Sequence, residues 1–98
     1  MTQLIYLNEG QEQVFEAFEA VAIPAIRRYN GSLLLRVRPA PESVIAGEME
    51  APYEIHLVRF HAESDFEAFK ADEERKKFLH LREQSIRSSL LILGKPVR

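Results

Sequence analysis

Two hydrophobic periods alternate along the chain. Gln3 to Leu7 is a short, β-prone apolar run. Asn8, with Gln11 three positions on, resembles a capping box that turns this strand into a helix. From Gln11 to Tyr29 the residues Val14, Phe18, Val21, Ala25 and Tyr29, flanked by Phe15, Ala22 and Ile26, recur with the helical period and mark a face made for burial. Pro24 lacks the N–H that the preceding turn needs, which predicts a kink or break near Val21 to Ile23 before the helix resumes. Asn30 and Gly31 suit a left-handed helix stop, and Ser32 to Arg38 reads as a second strand ended by Pro39 and Pro41. Residues Ala40 to Pro52 are read as an exposed connection with a short strand around Ser43 to Gly47. Tyr53 to Phe60 is a third strand, and Ser64 with Glu67 forms a second capping box ahead of Phe66 and Phe69. Asp72 is placed as the cap of a further helical segment reaching about Ser88. Leu90 to Leu93 is then a last strand closed by Gly94 and Pro96.

The order β-α-β-β-α-β is the split βαβ pattern. It predicts one α+β, ferredoxin-like domain over residues 1–98, a four-stranded antiparallel sheet with the helices on one face. The strands carry apolar residues on both alternations, Leu4 with Ile5 and Leu57 with Val58, so the face away from the helices also needs cover. An identical copy related by a two-fold axis is the simplest cover, and a homodimer is expected. Strict alternation assigns Ile5, Leu7, Leu33, Leu35, Val37, Ile55 and Leu57 to the helix side. It leaves a mixed set, with Tyr6, Asn8, Arg36, Arg38, Glu54 and His56 among aliphatics, on the open side. That open side is thereby read as both dimer interior and pocket.

Composition narrows the classes. Ninety-eight residues, 46% hydrophobic and 29% charged, describe one globular core. The absence of cysteine excludes disulfides and thiolate metal sites and fits a reducing compartment. The start MTQLIYLNEG shows no leader and no membrane span, so a cytoplasmic protein without a membrane partner is expected. A net charge of −2 without a basic patch argues against nucleic acid. Arg75, Lys76 and Lys77 follow Asp72, Glu73 and Glu74 and read as a solvated helix face with internal ion pairs.

The segments AIPAIRRYNGSLLLRVR and YEIHLVRFHAESDFEAFKADEERKKFLHLRE resemble the dimeric α/β-barrel superfamily and, within it, the domain-of-unknown-function family numbered thirteen-thirty. Tyr29, Asn30 and Gly31 match that family's turn, Phe60 its strand end, Phe66 to Phe69 its helix, and Leu81 with Arg82 its Leu-Arg pair. Asp72, Glu73 and Arg75 stand where the family has Ser, Pro and Tyr, so no role for that Tyr carries over. The resemblance implies a dimeric α/β barrel. Superfamily relatives include cofactor-free monooxygenases, muconolactone isomerases and haem-degrading enzymes, while the family itself has no settled activity, so fold transfers better than function.

His56 is the candidate catalytic residue, since an imidazole of near-neutral pKa can move a proton to or from a small enol or phenol. Tyr6, Asn8, Arg36, Glu54 and Arg82 are candidate ligand-binding residues. Arg36 suits a carboxylate or enolate, although pairing of Arg36 and Arg38 with Glu54 or Glu48 is the stronger structural reading. No metal is expected, because His56 and His61 point to opposite faces of a strand. No phosphate loop and no serine or cysteine nucleophile motif is present, and no cofactor is expected. Two functions fit: a cofactor-free enzyme or binder of a small, partly apolar acid or phenol, and a non-catalytic dimerisation module whose polar interior sets pairing.

Overall fold

The computed structural model describes residues 1–94. The chain runs through β1 (Thr2–Leu7), α1 (Glu12–Arg28), β2 (Gly31–Val37), β3 (Glu54–Phe60), α2 (Glu63–Lys70), α3 (Glu73–Lys76), α4 (Leu79–Ser85) and β4 (Ile86–Ile92). The strands form one antiparallel sheet in the order β2-β3-β1-β4, the α+β topology expected, with the second helix of the pattern broken into three short pieces. Among the described residues no helix is long and apolar enough to cross a membrane.

Several local expectations give way to neighbouring contacts. α1 runs unbroken through Pro24. Pro24 and Ala20, whose carbonyl loses its helical donor, are both exposed, so solvent takes the freed group. The first capping box does not form. Gln11 is the N-cap without a side-chain bond, and the Asn8 side chain instead donates to the Gln84 carbonyl at 2.9 Å, tying the start of α1 to α4. At the other end Asn30 takes the left-handed conformation, φ +59°. Gly31 follows because a Cβ there would lie 2.6 Å from Ile26 Cγ2 and 2.9 Å from the Ile26 carbonyl. α2 starts at Glu63, and Asp65 rather than Glu67 accepts the Ala62 N–H at 3.1 Å. Asp72 does cap a helix, accepting the Arg75 N–H at 2.7 Å. The loop after β2 holds a single 3₁₀ turn, Pro41–Ser43, in place of the strand expected at 43–47. β4 begins at Ile86, four residues before Leu90, and Pro96, the expected strand end, lies outside the described residues.

The assignment of faces is where the structure departs furthest from strict alternation. β2 carries a bulge: Leu33 pairs with Val58 and Leu35 with Leu57, leaving Leu34 as an extra residue. Across β1, Ile5 pairs with Glu54 and Gln3 with His56. Leu33, Arg36, Glu54, His56, Val58 and Ile5 therefore share the face that the helices cover. Leu35, Val37, Ile55, Leu57, Leu4 and Leu90 share the open one. The mixed polar set lies under the helices and the aliphatic set faces outward, the reverse of the expected arrangement for β3 and for β2 beyond Leu34, while Leu33 and Ile5 lie on the helix side as expected. Ala25, Ile26, Val58 and Phe69 form the centre of the core, with Phe60 packed on Phe66 and Phe69 at ring-centroid distances of 5.4 Å. On the open face Leu35, Leu57, Leu90 and Ile92 remain between a third and a half exposed.

Candidate functional site

β3 sends Glu54 and His56, two residues apart and both buried, to the helix side of the sheet. The bulge brings Arg36 and Arg38 to the same side. Arg36 Nε donates to Glu54 Oε2 at 2.7 Å and Arg38 Nε to Glu54 Oε1 at 2.8 Å. Both guanidiniums also reach Glu16 on α1, Arg36 at 2.9 Å. His56 Nε2 bonds to Glu54 Oε2. Burial alone would push the Glu54 carboxyl upward, but the bonds from Arg36, His56 and Arg38 outweigh it and hold the group below its ordinary value. Because Glu54 is a carboxylate, Nε2 carries the proton of that bond, and Nδ1 is the imidazole nitrogen left to accept one.

His56 lines a cavity of about 180 Å³ between sheet and helices, together with Glu19 of α1, Arg75 of α3 and Arg82 of α4. Phe18, Phe66 and Phe69 supply its apolar wall. Glu19 lies within the buried stripe Phe15, Phe18, Ala22, Ala25 and Ile26, and its carboxyl forms no hydrogen bond or ion pair among the described residues. Desolvation raises its pKa to about 7, opposed by the field of Arg36 and assisted by that of Glu54. Arg75 leans over Phe69 at 5.1 Å and Phe18 at 5.9 Å. Its Nε is buried with no partner among the described residues. Desolvation, reinforced by the charge of Arg82, lowers its pKa, so two cationic groups face one another across this space. Asp72 fixes the position of Arg75: besides capping α3, it accepts Tyr29 Oη–H at 2.8 Å and Arg28 Nη2–H at 3.1 Å, binding the start of α3 to the end of α1.

Of the residues expected in a site, only His56 and Arg82 line this cavity. Arg36 and Glu54 stand behind His56 as an ion-paired support, and Glu16, rather than Glu48, completes that network. Tyr6 lies on the far side of the sheet, donating to the Glu50 carbonyl at 2.9 Å beneath Arg87, and Asn8 is spent on Gln84. Glu19 was not singled out, and Arg75, read as part of a solvated helix face, instead turns into the cavity. For Glu19 the signal was available, a carboxylate four residues after Phe15 and three before Ala22, inside an apolar stripe. Arg75 was hidden in a charge run from which only Asp72 turns inward with it, while four members stay in water: Lys76 pairs with Glu73 at 3.8 Å and Lys77 with Glu74 at 3.6 Å. Among the described residues no group of three or more His, Asp and Glu is arranged to hold a metal ion.

No protein-family model and no curated protein matches the chain. Solved structures do. RPA0582, a protein of unknown function from Rhodopseudomonas palustris, superposes with a TM-score of 0.84 at 15% identity, covering 99% of this chain and 80% of that one. Its methylated form gives 0.78 at 15% identity, covering 99% and 78%. Protein Atu4242 from Agrobacterium tumefaciens gives 0.68 at 18% identity, covering 99% and 91%. Likeness at these identities shows the fold, a small α/β architecture shared with proteins of unknown function.

Proposed function

We propose that the protein binds a small, partly apolar organic acid or phenol in the cavity between sheet and helices, without a cofactor, and that it belongs with the dimeric α/β barrels, nearest the domain-of-unknown-function family numbered thirteen-thirty. The observation that carries the ligand reading is the buried Arg75 Nε, a charged group's donor with nothing to bond, in a space it shares with Arg82. The anion lies against Arg75 and Arg82 and its carbon skeleton against Phe18, Phe66 and Phe69. His56, oriented by Glu54, and Glu19 are the two groups able to take and return a proton beside that anion.

Calorimetric titration with benzoate and phenylacetate tests the reading. Arg75→Gln, folded by circular dichroism, should weaken binding about ten- to a hundredfold, the range for a bond to a charged group. Unchanged affinity, or no binding of either acid to the wild type at millimolar concentration, would overturn it and leave the ion-paired interior as a structural device. The enzymatic form has its own readout: faster solvent-deuterium exchange into phenylpyruvate with wild type than with His56→Gln. Equal rates leave a binder.

We further propose that a second copy covers the open sheet face. Leu35, Val37, Leu57, Leu90 and Ile92 form an aliphatic patch there, self-complementary under a two-fold axis and bordered by Arg59, while Arg36, Glu54 and His56 are engaged on the opposite side. Light scattering at micromolar concentration should give twice the chain mass, and Leu57→Lys should give a monomer that keeps its circular dichroism. A wild-type monomer would reject the dimer.

A further inference from the structure

A second, larger space adjoins the cavity. It measures about 510 Å³, with apolar walls from Phe60 and Leu93 and a polar rim at His61 and Glu63. Met1, Val58 and Phe66 line both spaces, so the two share a wall, and the side chains of that wall are apolar. The charged side chains are distributed unevenly between them. Arg75, Arg82, Lys70, Glu19 and His56 all belong to the inner 180 Å³, while the only charged side chain of the outer cleft among the described residues is Glu63 at its rim, the Met1 ammonium on the shared wall being bonded to the Val58 carbonyl at 2.6 Å. An acid whose skeleton ends inside the inner cavity would leave the outer hydrocarbon surface in water.

We infer that the ligand is an elongated amphipathic monocarboxylic acid, its head at Arg75 and Arg82 and its hydrocarbon tail passing between Met1 and Phe66 into the cleft walled by Phe60 and Leu93. This rests on the small-acid reading above and extends it to ligand shape. The polarity gradient gives the orientation: a carboxylate in the outer cleft would meet Glu63 at the rim, and a tail in the inner cavity would bury Arg75 and Arg82 against hydrocarbon. The Phe60–Phe66 ring pair, half-buried, is the tail's contact surface.

Straight-chain carboxylates from butanoate to decanoate, each below its aggregation threshold, test the inference by titration calorimetry. Affinity should rise about three- to fourfold per added methylene once the chain exceeds the inner cavity. Ala62→Trp, which places a ring in the outer cleft from an exposed position, should weaken decanoate at least tenfold and leave butanoate unchanged. Decanoate should shift the NMR signals of Phe60, Phe66 and Leu93, and butanoate should not, a readout that needs no variant. Decylamine should bind far more weakly than decanoate. If butanoate binds through Arg75 but affinity is flat with length, or Ala62→Trp has no effect on decanoate, the tail inference fails and the small-acid reading stands. If no carboxylate of any length binds, both fail.

Discussion

Replacing Glu54 by glutamine is expected to destabilise the fold by about 3 kcal/mol, the lower end of the range for breaking a buried ion pair, because Arg36 and Arg38 keep partial access to water. The substitution changes neither shape nor volume, so the loss is electrostatic. Two guanidiniums and an imidazole converge on one carboxylate, and Glu16, half-exposed, cannot neutralise both arginines. The sign with pH follows from the lowered carboxyl. Glu54 contributes its stabilisation above the ordinary value of 4.5 and loses it as pH falls through its lower folded value. The deficit of Glu54→Gln, measured by urea unfolding, should therefore be full at pH 7 and shrink in acid. A deficit below about 1 kcal/mol at pH 7 would mean that the network is not a unit.

Replacing Glu19 by glutamine is expected to do the opposite and stabilise the protein. Glu19 is raised from 4.5 to about 7 by burial, so between these values the folded chain holds a proton that the unfolded chain has released. Wild-type stability falls as pH rises through that window, and the cost is complete above it. The gap corresponds to about 3 kcal/mol. Glu19→Gln should match the wild type near pH 5 and exceed it by about that amount at pH 8.5, roughly 10 °C or more in melting temperature for a domain of this length. Curves that stay parallel from pH 5 to 8.5 would show that Glu19 is not held neutral. A charged residue kept at a cost in stability, on a cavity that also holds a guanidinium whose buried Nε has no partner among the described residues, is the pattern of a site rather than of a core.

Element order was legible because it depends on local signals: the helical period over 11–29, the Asn30-Gly31 stop, and the prolines after β2. Asp72 was legible as a cap for the same reason. The sheet faces were not, because alternation tells which residues share a side only within an unbroken strand. The extra Leu34 shifts that phase, and the pairing of Ile5 with Glu54 is decided by register between distant segments. His56 was recognisable from its chemistry alone. Arg75 was not, since an arginine among five charged neighbours takes an inward position only once Asp72 is anchored to Tyr29 and Arg28 on another helix. Arg36 was found as a residue of consequence, and its role moved from holding a ligand to holding the carboxylate behind His56.

The extra residue in β2 makes that strand behave like a text with a frameshift. Before Leu34 the odd positions read inward, and after it the even ones do, so one letter decides whether Arg36 and Arg38 are printed on the chemical page or on the contact page. Strand deletions are ordinarily the most damaging kind, yet removal of Leu34 would leave a perfectly regular strand. It would do no harm to the message: Leu33 would still face Val58, Leu35 Leu57 and Arg36 His56, whereas ironing out the bulge with Leu34 retained would send two cations to the apolar outer surface and leave Glu54 facing His56 alone.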